Sequence, residues 1–175
     1  MGGGRRLALV TGGTRGIGRA VTQKLAACGI DVAAAFVNDC GAAQQLAAGC
    51  QDGRATVTVH RADVGDQDSC GRLVGEVLEA HGRIDYLVNN AGMVIEQRYG
   101  DISEQDWQRH LAVNLSSAFF LTQAAIAAMV ERRFGRIVNI GSVSAVMGSP
   151  VQIPYSAAKS GLIGLTRSKI GRAHV

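Results

Sequence analysis

This sequence has no grouped cysteines or histidines. Cys28, Cys40, Cys50 and Cys70 stand ten or more residues apart, so there is no C-x-x-C pair and no cysteine with histidine at zinc-finger spacing. His60, His81, His110 and His174 show no paired spacing either. These absences exclude a zinc module, leave no metal-ligand set, and predict unbridged, mostly packed thiols in a reducing cytoplasm. Basic runs are also missing. Eighteen Lys and Arg against fourteen Asp and Glu give a net charge of +4, but the charges are scattered, which argues against a nucleic-acid partner. The opening stretch MGGGRRLALVTGG has only a short apolar run before its glycines, so it reads as neither a leader nor a membrane span. No repeat or low-complexity linker divides the chain. With 47% hydrophobic and 18% charged residues, its 175 residues read as one globular domain.

What is present is alternation. Short apolar runs at 6–11, 31–36, 55–60, 84–90 and 135–142 read as strands. Helical patterns fall between them at about 16–28, 41–48, 66–81 and 103–132, the last broken near Asn114, and Tyr155 opens a final helix just after Pro154. Strands without internal polar alternation, separated by helices, predict an α/β fold with a doubly wound parallel sheet covered on both faces. Such sheets bind ligands beyond the carboxyl ends of their strands. Two features sit there. TGGTRGIG follows the first strand and runs into a helix, a turn that lets backbone N–H groups approach a pyrophosphate. Tyr155 and Lys159 are four positions apart on a helix, one above the other, with only Ser and Ala between them.

The glycine spacing T-G-x-x-x-G-x-G, with NNAG at 89–92, RADV at 61–64, Asn114, Ser142 and the Tyr155/Lys159 pair thirteen residues on, resembles the short-chain dehydrogenase/reductase family. The resemblance covers Arg5 to about Ser168. It implies a Rossmann fold in which Gly12, Gly13, Thr14, Arg15, Gly16, Ile17 and Gly18 hold the dinucleotide. It also implies that Asp63 faces the adenine beside Val64, and that Asn90, Ala91 and Gly92 line the cofactor. Tyr155 becomes the proton donor, and Lys159 both favours its phenolate and holds the nicotinamide ribose. Ser142 bonds the substrate oxygen, and Asn114 holds a water leading from Lys159. The family's acidic ribose position falls on Phe36, while Arg15 matches the Arg that meets a 2′-phosphate, so NADP(H) is favoured over NAD(H); Asp39 is the competing acidic candidate.

The stretch 131–168 looks most like 3-oxoacyl-acyl-carrier-protein and acetoacetyl-CoA reductases, although MVIEQRYGD after NNAG departs from their usual run. The implied activity is reduction of a small-molecule ketone, with acyl thioesters as the candidate class, by a homodimeric or homotetrameric cytoplasmic enzyme. A non-catalytic nucleotide-binding relative and an NAD-dependent alcohol or sugar dehydrogenase are the alternatives. The family normally continues through two more strands, so five of seven are expected in 1–169. Residues 170–175 read as a non-native tail resembling translated sequencing adapter, and the chain as written is expected to be inactive.

Overall fold

The computed structural model describes residues 4–50 and 54–169. Five apolar segments pair in it as one parallel sheet: β1 (Leu7–Thr11), β2 (Asp31–Phe36), β3 (Val57–Arg61), β4 (Tyr86–Asn89) and β5 (Arg136–Asn139). Their order is β3-β2-β1-β4-β5. The chain therefore builds outward from β1 to β3, then returns to lay β4 on the other side of β1. Strand order reverses between β1 and β4, and a crevice opens beyond their carboxyl ends. This is the expected doubly wound sheet. The helices are α1 (Gly16–Ala27), α2 (Cys40–Gly49), α3 (Gln67–His81), α4 (Glu104–Leu111), α5 (Ser117–Glu131), α6 (Ser144–Met147) and α7 (Ile153–Lys169).

Every residue of β1 is buried, because each face of the strand has its own cover. Leu7 and Leu9 pack with Leu73 and Val77 of α3 and with Leu121, Ala125 and Met129 of α5. Ala8 and Val10 point the other way, toward Val32, Val88 and the α1 residues Val21 and Leu25. The two-residue period of a strand thus feeds two apolar layers, which is why the run shows no polar alternation. By length and composition the segment Glu104–Glu131 is apolar enough to cross a membrane; here its inward residues belong to the core.

Several boundaries differ from expectation for physical reasons. β4 begins at Tyr86, two residues late, because Asp85 is fully buried at the strand entrance. Its carboxylate accepts the Leu7 N–H at 2.8 Å and two N–H groups of Arg83, Nε and Nη2, at 2.6 Å each. Burial pushes this carboxyl up, but the Arg83 and Leu7 hydrogen bonds and the positive charge of Arg83 outweigh that and hold it below its usual value. β5 ends at Asn139, which leaves Gly141 and Ser142 in the following loop. The break near Asn114 is a single wide π turn, Ala112–Ser116, joining α4 to α5. Ser103 caps α4 by accepting the Asp106 N–H at 3.0 Å. The short α6 and a 3-10 turn at Tyr99–Asp101 were not expected, and α7 starts at Ile153 with Pro154 in its first turn. Packed thiols were expected, yet only Cys70 is buried; Cys50 is half-buried, and Cys28 and Cys40 are exposed. The predicted tail 170–175, with His174, lies outside the described residues.

Candidate functional site

The glycine turn is fixed by backbone shape before any ligand is considered. Gly12 and Gly16 have φ of 60° and 51°, a left-handed region costly for other residues. A Cβ on Gly13 would lie 2.8 Å from the Val10 carbonyl oxygen, and one on Gly18 would overlap the carbonyl oxygen of Gly12. The Gly13 N–H donates to Ala35 O at 3.0 Å, and Thr22 Oγ1 donates to Gly13 O at 3.1 Å. Arg15, the residue before α1, is extended, and no side chain caps the helix. The first N–H groups of α1 therefore have no side-chain acceptor, which suits an anion at this terminus. Asn90 ties the turn to the neighbouring strand: its Nδ2 donates to Thr11 O at 2.8 Å and Gly12 O at 3.2 Å. Thr11 Oγ1 accepts the N–H groups of Asn90 and Ala91, each at 3.0 Å.

Beyond this turn lies a cleft of about 440 Å³. Gly12, Thr14, Arg15, Gly16 and Ile17 line one side, and Asp63, Val64, Asn90, Ala91 and Gly92 line the other. Gly13 and Gly18 do not line it; they sit behind the turn and let it approach the sheet and α1. Phe36, Val37 and Asn38 complete the wall at the end of β2. Asp39 also lines the cleft, while its Oδ1 accepts the Ala42 N–H at 2.8 Å as the cap of α2. Arg109 was not singled out from the sequence, yet it lines the cleft and donates through Nη2 to both oxygens of Asp63 at 2.9 Å. Burial raises the Asp63 carboxyl, but the hydrogen bonds from Arg109 and Gly65 and the charge of Arg109 bring it below its usual value. The close backbone at Gly18, the uncapped α1 and a cleft lined from the glycine turn to Asn90, Ala91 and Gly92 fit a dinucleotide with its pyrophosphate over 12–18.

Of the four polar residues expected to carry chemistry, Asn114 and Lys159 lie next to the Gly92 end and Tyr155 lies beside Lys159, while Ser142 sits in the loop after β5. Asn114 is buried in the π turn; its Oδ1 accepts the Met93 N–H at 3.1 Å, and its Nδ2 donates to Met93 O and His110 O at 2.9 and 3.0 Å. A Cβ on Gly92 would stand 3.0 Å from Asn114 Oδ1 and 3.9 Å from Lys159 Nζ, so Gly92 adjoins both groups. Lys159 is only 3% exposed. Its ammonium donates to Ile140 O at 2.8 Å and lies 5.8 Å from the centre of the Tyr155 ring. Burial lowers the pKa of this amine. Tyr155 is half-buried, and among the described residues nothing bonds its hydroxyl. Ser142 Oγ accepts the Ser144 N–H at 3.2 Å, a local backbone bond that leaves its own proton to donate. No hydrogen bond joins Ser142 to Tyr155. Their elements are linked instead by Ser160 Oγ donating to Ala145 O at 2.7 Å.

His110 is a second residue that the sequence did not flag. It is fully buried; Nε2 accepts the Ile95 N–H at 3.1 Å and Nδ1 faces Asp106 O at 2.7 Å, so the proton belongs on Nδ1. With Asn114 one turn further on, His110 fixes the loop that leaves β4. The available signal was its i−4 spacing from Asn114 on one helix face.

A family model described as short chain dehydrogenase matches residues 6–170. The chain is 37% identical over 163 residues to a 3-oxoacyl-[acyl-carrier-protein] reductase of Synechocystis sp., covering 93% of this chain and 66% of the relative. It is equally identical, with the same coverage, to an acetoacetyl-CoA reductase of Shinella zoogloeoides. Among solved structures, one described as a short-chain alcohol dehydrogenase from Sinorhizobium meliloti 1021 superposes with a TM-score of 0.88 at 36% identity, covering 93% of this chain and 64% of that one. The chain thus spans just under two thirds of the length of these proteins.

Proposed function

The chain belongs to the short-chain dehydrogenase family, and on that premise we propose that it serves an NADP(H)-dependent reductase that converts a ketone to a secondary alcohol, with Tyr155 as the proton donor. The observation that carries this is the buried Lys159 ammonium, 5.8 Å from the ring of a Tyr155 whose hydroxyl is unengaged, beside the Gly92 end of the cleft. A binding module has no use for a buried cation next to an open phenol. The nicotinamide, when bound, supplies the hydride. The remaining work falls to side chains. Ser142 keeps its proton and donates a hydrogen bond to the carbonyl oxygen, stabilising negative charge as it develops there. Tyr155 Oη delivers a proton to the same oxygen. Lys159 favours the phenolate left behind and, held by Ile140 O, keeps its charge aimed at that ring. Asn114, clamped to Met93 and His110, fixes the loop against which these groups are arranged.

Acyl thioesters are the proposed substrate class, because both relatives named above act on 3-oxoacyl or acetoacetyl thioesters by name. NADP(H) is proposed because Arg15, exposed at the mouth of the cleft, offers a guanidinium to a 2′-phosphate, and Phe36 offers no carboxylate to a 2′-hydroxyl. A second reading, NAD(H), rests on Asp39, which lines the same cleft with one carboxylate oxygen not used in capping. Oxidation of NADPH and NADH by the reductase that this chain serves, spanning the full length of the relatives above, followed by absorbance across acetoacetyl thioesters, sugar ketones and small ketones, tests the proposal. Turnover confined to NADPH with acetoacetyl thioesters supports it. Turnover with NADH and sugar ketones, or none with any ketone, rejects it.

A further inference from the structure

The strongest structural feature that this chemistry leaves unused is the ion pair inside the cleft. Asp63 follows β3, and Arg109 comes from α4, 46 positions later. Arg109 reaches the carboxylate with one nitrogen, Nη2, at 2.9 Å from both oxygens. Its Nη1 lies over Gly65, where any Cβ would overlap it. The Gly65 N–H in turn donates to Asp63 Oδ1 at 2.9 Å. Both charged side chains are 41% exposed, so the pair faces the cleft rather than the core. A carboxylate has about four acceptor directions. Here Oδ1 uses two, to Gly65 and Arg109, and Oδ2 uses one, to Arg109. A single direction on Oδ2 is left.

We propose that Arg109, seated on Gly65, is a positioning residue that turns the Asp63 carboxylate so that its one free acceptor reads the exocyclic amine of an adenine base. This rests on the dinucleotide reading above and adds to it a base-discriminating device of three residues. Without Arg109 the carboxylate keeps only its Gly65 bond and can rotate, so several acceptor directions become available and the preference for an amino-bearing base falls. With Arg109 in place, a base bearing a carbonyl at that position meets the Oδ2 lone pair with its own, and is rejected. Arg109 is also five residues before Asn114 on one continuous helical run, so the base end and the reacting end of the cleft are braced by the same element.

The test measures dissociation constants of NADPH and its hypoxanthine (deamino) analogue, by calorimetry, for the wild-type protein and for Arg109→Met, Arg109→Lys and Gly65→Ala. The wild-type protein should prefer NADPH by about tenfold or more, the value of one hydrogen bond to a charged group. Arg109→Met should bring the two constants close together by weakening NADPH selectively. Gly65→Ala, which displaces the guanidinium without removing it, should do the same, and Arg109→Lys should restore part of the preference. Should Arg109→Met not fold, the Gly65→Ala and Arg109→Lys ratios decide. Equal weakening of both cofactors by Arg109→Met means a purely structural pair and overturns the proposal, as does a wild-type protein that does not discriminate. Failure of the folded wild-type protein to bind either dinucleotide would instead remove the dinucleotide reading, and the proposal with it.

Discussion

Replacing Lys159 with Met should stabilise the folded chain while removing its chemistry. The ammonium is 3% exposed and, among the described residues, has one acceptor, Ile140 O, for three N–H donors. Incomplete compensation of a buried polar group costs about 1–3 kcal/mol on mutational scales, and Met keeps most of the stem volume, so the variant should gain about that much. For a chain of this size each kcal/mol raises Tm by about 2–4 °C. The pH dependence supplies a check that packing alone cannot mimic. Burial lowers the amine's pKa from 10.5 in the folded state. Below the folded value both states hold the proton, and the wild-type chain bears the full cost. Between the folded value and 10.5 the unfolded chain binds more protons, so wild-type stability rises with pH. The advantage of Lys159→Met should therefore be largest near neutrality and shrink as pH climbs toward 10.5. Urea denaturation of both chains from pH 7 upward measures it. A variant less stable at pH 7, or an advantage that does not change with pH, would show that the buried ammonium is not strained.

Three other outcomes follow from single positions. Gly18→Ala puts a Cβ onto the Gly12 carbonyl oxygen and beside Asn90 Nδ2, so the turn must shift; NADPH binding by calorimetry should fall by at least about tenfold, and unchanged affinity would show that the turn does not set the pyrophosphate site. Arg15→Ala should weaken NADPH by about 1.5–3 kcal/mol and NADH little; equal losses would separate Arg15 from the 2′-phosphate. Asp85→Asn turns an amide N–H toward the Arg83 donors in a fully buried position, so chemical denaturation should report a loss of about 3–5 kcal/mol. Because the Asp85 carboxyl is held below its usual 3.8, the stability it contributes is present above that pH and disappears as pH falls through the lower folded value, a loss the Asn variant should not show.

The strands and the crevice were legible because they depend on local signals: uninterrupted apolar runs for β1 and β2, and glycines whose spacing has a backbone meaning. The Tyr155/Lys159 pair was legible for the same reason, since i and i+4 meet on any helix. What escaped depends on contacts between distant segments. Asp63 and Arg109 are joined only once α4 lies across the end of β3, and neither neighbourhood carries a mark of the other. His110 reads as an ordinary helix residue until folding brings the Ile95 N–H to its ring. Ile84 and Asp85 looked like the start of β4, but a buried carboxylate bonded to Leu7 does side-chain work there. Four-residue α6 is shorter than any period that could announce it. Asp39 shows the converse: the sequence left it between ribose ligand and turn residue, and the fold makes it a helix cap that also borders the cleft.

The central claim is that Tyr155 hands a proton to a carbonyl oxygen under the influence of Lys159. Tyr155→Phe removes one oxygen, the one that no described residue bonds, and so leaves the packing of α7 intact. Steady-state reduction of an acetoacetyl thioester with NADPH by the full-span reductase that this chain serves, measured alongside NADPH binding, should show turnover lower by about 10²–10⁴-fold with binding essentially unchanged. Turnover equal to that of the unaltered protein would remove Tyr155 from the chemistry and contradict the account.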